Sequence, residues 1–211
     1  MNFMEQQATL LSMTPNPILL IERCGRVCYK SENRMKCDHQ TPTGSCPECL
    51  YRAKTFVRRL LKLGHESVLE HAHATFHLIT DRGISHEIVR HRLCSYSQES
   101  TRYCKYNDID MIMPEISDHT KPLFDDTMRQ VENTYSQMIS DGMPPQYARS
   151  VLPNCLKTEL IMTANFRQWR HILSLRLDDG AHPQIRSLMF QVLDILLNSE
   201  ASMVFTDLCS S

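Results

Sequence analysis

HAHATFHLITDRGISHEIVRHR, residues 71–92, changes its hydrophobic period at Asp81. Before that residue, small or apolar side chains alternate mainly with histidines and a threonine, which is the period of a β-strand with one buried face. The alternating apolar positions are Ala72, Ala74, Phe76 and Leu78. After Asp81, a good helix N-cap, the apolar residues follow the spacing of a helix. These residues are Ile84, Ile88 and Val89. The stretch therefore predicts a strand that leads directly into a helix.

A dense group of hydrogen-bond donors, RHRLCSYSQESTRY, occupies residues 90–103, with four arginine or histidine side chains and four serine or threonine hydroxyls. Arginine side chains are almost never buried unpaired, so this stretch is not expected to be a core segment. One open interpretation is a solvated loop in which Glu87 pairs with Arg90 one helical turn on. The other is a cluster of charge-assisted donors for a phosphate or another anionic ligand. In either case, we expect the group to lie where the helix becomes a loop.

The rest of the chain is organised as amphipathic stretches separated by turn residues. Apolar spacing predicts helices that begin near residues 17, 50, 124, 145, 165 and 183. Residues 155–164, CLKTELIMTA, alternate like a second strand, and Asn165 is a good N-cap for the helix that follows. Gly64 and Gly142 are predicted to end two of the helices. Several helices with a few separated strands and no internal repeat predict an α/β or mixed α+β fold.

The overall composition is that of an ordinary soluble globular protein, with 42% hydrophobic and 22% charged residues. A length of 211 residues predicts one domain over residues 1–211, or at most two small ones. The formal net charge of -1 provides no bulk attraction to nucleic acid or to an anionic membrane. The first residues contain neither a basic leader nor a long apolar segment, and we therefore expect a cytoplasmic protein.

The cysteines suggest free thiols, because there are nine of them, an odd number, without a secretion signal. A polar, cysteine-containing stretch near residues 32–49 lacks core periodicity and is interpreted as a loop or insertion. Within it, a C-x-H pair and a C-x-x-C pair could hold a structural zinc, although the spacing between the pairs is short for a zinc ribbon. The four candidate ligands are Cys37, His39, Cys46 and Cys49. A surface loop with free thiols is the alternative.

His71, His73 and His77 share one face of the predicted strand and form a second candidate metal site. Two observations argue against a shared ion. No carboxylate of the strand lies on that face, and a pleated strand separates His73 from His77 by roughly 13 Å. We therefore expect these histidines to be packed or bonded to water.

A resemblance to a known family rests on the donor-rich stretch and on motifs to either side of it. Arg90-His91-Arg92, followed by seven residues and Ser100, resembles the signature of the flavin-dependent thymidylate synthases, and Arg102-Tyr103 continues that pattern. The resemblance extends to GHESVLEH upstream and to ARSVLP, TANFRQWRHILSLR and AHPQIR downstream, in the order of the family. It covers most of the chain from about Gly25 to Arg186, whereas the cysteine-containing insertion is outside the common pattern.

The resemblance implies a reductive methylation of dUMP to dTMP. In this family, methylenetetrahydrofolate donates the carbon, and FAD, recharged by NADPH, is the redox carrier. The implied fold is an α/β subunit with helices packed on a small sheet, assembled as a homotetramer whose flavin sites are built at subunit interfaces. Neither a nucleic-acid polymer nor a membrane is an implied partner.

The resemblance also implies two sets of site residues. The residues implied to bind FAD are Ser67, Arg90, His91, Arg92, Gln98, Asn165, Phe166, Arg167 and His171. The residues implied to bind dUMP are Glu87, Ile88, Val89, Arg90, Gln98, Glu99, Ser100, Thr101, Arg102, Arg149 and Arg176. Three positions depart from the common pattern, since relatives often have asparagine at His171 and some have glutamine at Glu87 and glutamate at Gln98.

Arg176 is the candidate catalytic residue, because a guanidinium can stabilise negative charge on the uracil ring as its NH ionises. Ser100 is interpreted as a hydroxyl that positions the substrate, not as a nucleophile. Two other classes of function are alternatives. A zinc-dependent hydrolase would use the strand histidines, and a nucleic-acid-binding module would use the arginines with the cysteine loop, but neither explains the downstream asparagine and arginine matches.

Overall fold

The computed structural model of the chain describes residues 2–35, 46–106 and 108–210. Within these ranges the α-helices are α1 (Pro17–Cys28), α2 (Pro47–Lys62), α3 (Arg82–Ile88), α4 (Lys121–Ser140), α5 (Pro145–Ala148), α6 (Phe166–Arg176) and α7 (Pro183–Leu197). The strands are β1 (Asn2–Met4), β2 (Gln7–Met13), β3 (His73–Asp81), β4 (Ser95–Gln98), β5 (Asp110–Ile112) and β6 (Lys157–Asn165). Short 3₁₀ helices cover Glu32–Arg34, Glu66–His71, Arg149–Val151, Ser202–Val204 and Thr206–Ser210.

The strands form a four-stranded sheet with the order β2-β3-β6-β4 and a two-stranded sheet in which β1 and β5 pair in parallel. In the smaller sheet, Asn2 lies opposite Asp110, and its side-chain amide donates to the Asp110 carboxylate at 3.1 Å. The mixed α and β fold with helices around small sheets is therefore confirmed. None of the helices in the described ranges has both the length and the apolar character needed to cross a bilayer.

The chain twice runs from a strand through a capping residue into a helix. Asp81 ends β3, and its carboxylate accepts the backbone N–H of Ile84 at 2.6 Å at the start of α3. Asn165 ends β6, and its side-chain oxygen accepts the N–H of Gln168 at 2.8 Å at the start of α6. Each side chain satisfies one of the donors that a helix N-terminus leaves without an intrahelical partner. Both predicted caps are confirmed.

We expect Asp81→Ala to lower the free energy of unfolding by about 1 kcal/mol, because the Ile84 N–H would lose its acceptor at the start of α3. Asp81→Asn is the matched control, since an asparagine oxygen can still accept this hydrogen bond. Denaturant unfolding of the three proteins would measure the difference. Equal stabilities of the alanine and asparagine variants would contradict the capping role.

Backbone contacts divide the chain into two compact units. The first unit comprises Met1–Ala8, His77–Arg92 and Tyr96–Ile161. Its apolar cluster is formed where α4 and α5 pack with residues around β5. The buried members of this cluster are Ile109, Met111, Met128, Tyr135, Ala148 and Leu156. The cluster gives this unit a core of its own.

The second unit comprises Thr9–Phe76, Leu93–Ser95 and Met162–Ser211. In it, α1 packs with α2, and α6 packs with both α7 and the 3₁₀ helix at Glu66–His71. The fully buried Trp169 meets Phe76 edge to face at 5.1 Å between ring centroids, and its indole N–H donates to the carbonyl of Ala74 at 3.0 Å. This pairing fixes α6 on the first half of β3.

A buried ionic group links α1 to α2 within the second unit. The Glu22 side chain is only 1% exposed, and its carboxylate accepts from Nε of Arg26 at 3.0 Å and from Nε of Arg52 at 3.1 Å. Arg26 also lies over the ring of Phe56, 4.3 Å from its centroid. The carboxylate is therefore shared between two guanidinium groups. We call Glu22, Arg26 and Arg52 the Glu22 triad.

The structure corrects three expectations about local structure. Helix α2 begins at Pro47, not at residue 50, because proline at the first helical position lets the helix start inside the predicted loop. The donor-rich stretch is not a simple loop, since Ser95–Gln98 forms strand β4. The N-terminal strands β1 and β2 were not predicted. In β2 only Ala8 is buried, so the strand has no regular alternation of buried and exposed residues that a sequence pattern could show. Residues 36–45 of the insertion lie outside the described ranges.

Candidate functional site

The donor-rich stretch begins where α3 ends, and its three basic residues differ in exposure. Arg90 and Arg92 are exposed, whereas His91 is only 8% exposed. The hydroxyl of Tyr96 on β4 donates to the carbonyl of Ile88 at 2.8 Å and to that of His91 at 3.0 Å. Strand β4 is thereby fastened to the end of the helix, and the two arginines are presented to solvent.

The three residues before Arg90 differ in burial and in the polar groups that they can offer to a ligand. Ile88 is buried in the core with 1% exposure, so its only polar groups are in the backbone. Glu87 and Val89 are partly buried. A ligand contact by Ile88 would therefore be made by the backbone, and Glu87 is the residue of this turn that can offer a carboxylate.

The segment Gln98–Arg102 is held by side chains from three other places in the first unit. The Gln98 amide donates to the Ser85 hydroxyl of α3 at 2.9 Å and to the Thr158 hydroxyl of β6 at 3.3 Å. The buried Thr101 hydroxyl accepts from Arg149 at 3.2 Å. The sequence-predicted residues Gln98, Thr101 and Arg149 therefore come together within one unit.

Ser100 and Arg102 form a turn at the end of this segment. The backbone N–H of Arg102 donates to the Ser100 hydroxyl at 3.3 Å, and the N–H of Tyr103 donates to the Ser100 carbonyl at 3.1 Å. The Arg102 side chain is exposed and its guanidinium lies 5.4 Å from the centroid of the Tyr103 ring. The turn thus contains an exposed cationic side chain and a serine hydroxyl.

Glu99 is the centre of a polar network that the sequence analysis missed. Its carboxylate accepts from the hydroxyl of Tyr106 at 2.8 Å and lies 3.7 Å from the ammonium of Lys157. Lys157 also donates to Glu159, which in turn contacts Nε2 of His77 at 2.9 Å. Lys157 and Glu159 are two residues apart on β6, and this spacing on one strand face was the available signal.

Burial and hydrogen bonding shift the titration of this network. Burial raises the pKa of the Tyr106 phenol, and the hydrogen bond to Glu99 adds to the rise. For Lys157, burial acts to lower the pKa, but the hydrogen bond to Glu159 and the nearby Glu99 charge outweigh it and hold that pKa above its usual value. The hydrogen bond from Lys157 lowers the pKa of Glu159. Tyr106 is therefore a neutral donor at neutral pH, and Lys157 and Glu159 are charged.

In the second unit, the candidate residues of the 3₁₀ helix and of α6 belong to elements that pack together. Ser67 is exposed on the 3₁₀ helix Glu66–His71. Arg167 and His171 are exposed one turn apart on α6, and Arg167 pairs with Glu70 of the 3₁₀ helix at 2.6 Å. This surface therefore combines a hydroxyl, a guanidinium and an imidazole.

Phe166, the first residue of α6, contributes to the core of the second unit. Its side chain is fully buried and meets Phe205 edge to face at 5.5 Å between ring centroids. Its backbone N–H donates to the carbonyl of Ala72 at 2.8 Å. A ligand contact by Phe166 would therefore come from its backbone.

Arg176 is the last residue of α6 and is partly buried. Two carboxylates follow it closely in the sequence, and both have donors of their own. Asp179 pairs with Arg186 at 2.6 Å, and the Asp178 carboxylate accepts the N–H of Gly180 at 2.8 Å.

The candidate metal sites gain no support from the described part of the chain, where no group of three or more histidine, cysteine or acidic residues is placed to hold an ion. His77 contacts the carboxylate of Glu159 at 2.9 Å, which comes from the neighbouring strand β6 and was not foreseen from the sequence of β3 alone. Cys37 and His39 lie outside the described residues. Cys49 is buried in the first turn of α2, and Cys46 precedes that helix.

Comparisons with known proteins agree on one family. Residues 9–199 match the family model Thy1, described as thymidylate synthase complementing protein. The chain is 33% identical over 208 residues to a protein named flavin-dependent thymidylate synthase from Geobacter sulfurreducens, covering 94% of this chain and 84% of that protein. Proteins of the same name from Mycolicibacterium gilvum and Mycobacterium tuberculosis are 31% and 30% identical over 207 residues, each with 89% of this chain and 78% of the relative covered.

Proposed function

The chain belongs to the thymidylate synthase complementing protein family, and we propose that it is a flavin-dependent thymidylate synthase, which converts dUMP to dTMP. The observation that carries this proposal is the family match over residues 9–199, which includes every candidate site residue and most of each unit. Methylenetetrahydrofolate is the carbon donor and NADPH the reductant in this assignment. The same match supports one catalytic domain over residues 9–199.

FAD would be held by exposed polar side chains whose chemistry suits a dinucleotide with two phosphates. Arg90 and Arg92 are exposed cations, and Arg167 with His171 provides a second exposed polar surface. Charge-assisted hydrogen bonds from such groups to phosphate oxygens are among the strong ones in proteins. Ser67, His91, Gln98, Asn165 and the backbone of Phe166 complete the proposed set. When bound, the flavin supplies the electrons that reduce the transferred carbon to a methyl group.

dUMP would be bound by the end of α3, the segment Gln98–Arg102, Arg149 and Arg176. Arg102 has an exposed cationic side chain, and its backbone N–H is bonded to the Ser100 hydroxyl; a guanidinium and a hydroxyl in one turn suit a nucleotide phosphate. Arg176 would face the uracil ring. Its fixed positive charge would stabilise the negative charge that develops as the ring NH ionises, which makes the ring carbon nucleophilic toward the methylene group.

The assembly and the location of the protein are further parts of the proposal. We propose a homotetramer with flavin sites at the subunit interfaces, in the cytoplasm, on the basis of the family alone. Size-exclusion chromatography with light scattering would measure the assembly. A monomer that binds FAD and forms dTMP would contradict the interface sites.

The proposed function is tested by colour and by product. We expect the purified protein, as isolated or after addition of FAD, to show a flavin absorption spectrum. It should then form dTMP only when dUMP, methylenetetrahydrofolate and NADPH are all present. A protein that binds no FAD, or that binds it and forms no dTMP, would contradict the assignment.

The cysteines near the site are expected to be dispensable for the chemistry. Cys94 and Cys104 are partly buried and flank the proposed dUMP segment, so they invite assignment as nucleophiles. The proposed route needs no enzyme thiolate, and we expect Cys94→Ala/Cys104→Ala to keep turnover within about threefold of the unmodified protein. Steady-state dTMP formation would measure this. Complete loss of turnover with FAD still bound would contradict the mechanism.

Cys155 provides a matched control for thiol reactivity. Burial raises the pKa of its thiol to about 11, so at neutral pH it is protonated and unreactive. Alkylation at pH 7 should therefore modify the exposed Cys28 well before Cys155.

A further inference from the structure

Tyr106 and Lys157 contact Glu99 and lie outside both sets of residues assigned to FAD and dUMP. We propose that Tyr106 and Lys157 are positioning residues that hold Glu99, and with it the segment Gln98–Arg102, in the conformation that binds dUMP. This inference rests on the proposed function, because it assigns a task to the neighbours of the proposed dUMP segment.

The first argument is the number of independent attachments on so short a segment. Gln98 is attached to Ser85 and Thr158, and Thr101 is attached to Arg149. Between them, the backbone N–H of Glu99 donates to the carbonyl of Glu159 at 2.9 Å, and its carboxylate is held by Tyr106 at 2.8 Å. Gln98, Glu99 and Thr101 are thus each held by another element, while the Arg102 side chain is left exposed.

The second argument is the energetic character of the Glu99 contacts. The Lys157 and Glu99 side chains are only 15% and 20% exposed, and Lys157 lies between the carboxylates of Glu99 and Glu159. Half-buried ion pairs contribute little net stability, because desolvation offsets their attraction. Removing Lys157, however, leaves the carboxylates of Glu99 and Glu159 without the positive charge that they share. The arrangement is therefore poorly suited to stabilise the fold and well suited to fix the geometry of one segment.

These contacts predict a specific kinetic signature. Neither Tyr106 nor Lys157 is assigned to substrate or cofactor, so their loss should act only through the segment that Glu99 occupies. We expect Tyr106→Phe to raise KM and Kd for dUMP about tenfold while kcat changes by less than about twofold, since a hydrogen bond to a charged group is lost. Lys157→Met should raise KM further, and Lys157→Arg should restore most of the loss, because it returns the positive charge.

Two matched controls separate positioning from stability. Tyr135→Phe removes the hydroxyl that accepts the backbone N–H of Tyr106 at 3.4 Å, but it keeps the ring, 6.0 Å from that of Tyr106 between centroids, and does not alter the Tyr106 hydroxyl or the Glu99 carboxylate. Arg129→Met removes an exposed ion pair with Asp126 in the same unit. Both controls should keep KM for dUMP within about twofold of the unmodified protein, even where Tyr135→Phe lowers the melting temperature.

A double-mutant cycle tests whether Tyr106 acts through Glu99. Once Glu99→Ala has removed the acceptor of the Tyr106 hydroxyl, adding Tyr106→Phe should change KM for dUMP by less than about twofold. Additive effects of the two substitutions would overturn the positioning role. So would unchanged dUMP affinity in both Tyr106→Phe and Lys157→Met, or an equal rise of KM in Arg129→Met.

Amide hydrogen exchange of the ligand-free protein provides a readout that does not depend on activity. Residues 98–102 should exchange at least about threefold faster in Tyr106→Phe and Lys157→Met, and at the unmodified rate in Arg129→Met. If the unmodified protein forms no dTMP, the proposed function fails, and the exchange rates still decide whether Tyr106 and Lys157 hold the segment. Unchanged exchange in an active protein overturns the inference alone.

Discussion

Arg176→Ala is expected to slow dTMP formation by about 100- to 1,000-fold, which is the usual cost of removing one preorganised donor from developing charge. Arg176 ends α6, whose first turn begins at the Asn165 cap, and it is partly buried. Because the proposed role is to stabilise charge on uracil, the variant should still bind FAD and oxidise NADPH. Its melting temperature should stay close to that of the unmodified protein.

Arg176→Lys is the matched control, because it keeps the positive charge but not the planar guanidinium. Arg176→Lys should recover little activity, because a point charge cannot reproduce the planar fork of a guanidinium against a uracil edge. Parallel assays of NADPH oxidation and dTMP formation on each variant would separate flavin reduction from methyl transfer. Near-normal dTMP formation in Arg176→Ala would refute the catalytic role and leave Arg176 as a surface residue whose loss changes stability by about 1 kcal/mol or less.

Arg92→Ala is expected to weaken FAD binding by about 10- to 100-fold with little change in melting temperature. The estimate corresponds to the loss of one hydrogen bond from a charged donor, about 1.5 to 3 kcal/mol. Arg92 is exposed beyond the end of α3, so its side chain contributes little to packing. Flavin titration and a melting curve on the same preparation would measure the two quantities separately.

His91→Ala is the informative partner of that variant. The donor-rich stretch was not expected to be a core segment, but His91 within it is buried with 8% exposure. We therefore expect His91→Ala to lower the melting temperature as well as the affinity for FAD. Unchanged flavin affinity in both variants would show that the cofactor binds elsewhere, and Arg129→Met, at an exposed ion pair, calibrates the assay.

The elements predicted correctly from the sequence are those whose signals are local. The strand β3, the Asp81 cap and the helix α3 follow from periodicity and from one capping side chain. Strands β1, β4 and β5 are three or four residues long, and each acquires its structure from a partner far along the chain. A window of sequence contains no information about such pairings, so these strands were missed.

In the candidate site, too, local sequence signals identify some residues, whereas others are brought to the site only by the fold. The motif around Arg90 to Ser100 identifies the residues proposed to contact ligands, because they are close together in the sequence. Tyr106 and Lys157, which contact Glu99, come from a loop and from another strand. Their proximity is a product of the fold, and only the structure reveals it. The burial of His91, Ile88 and Phe166 likewise depends on tertiary packing.

The Glu22 triad constrains which substitutions this fold can accept during divergence. Losing Glu22 alone would leave two guanidinium groups between α1 and α2 without the carboxylate that they share. Losing either Arg26 or Arg52 alone would remove one donor from a carboxylate whose side chain is only 1% exposed. Replacing all three together with apolar residues of similar volume is often tolerated in other proteins. The three positions are therefore expected to change as a set in descendants of this chain, and single replacements are expected to be purged.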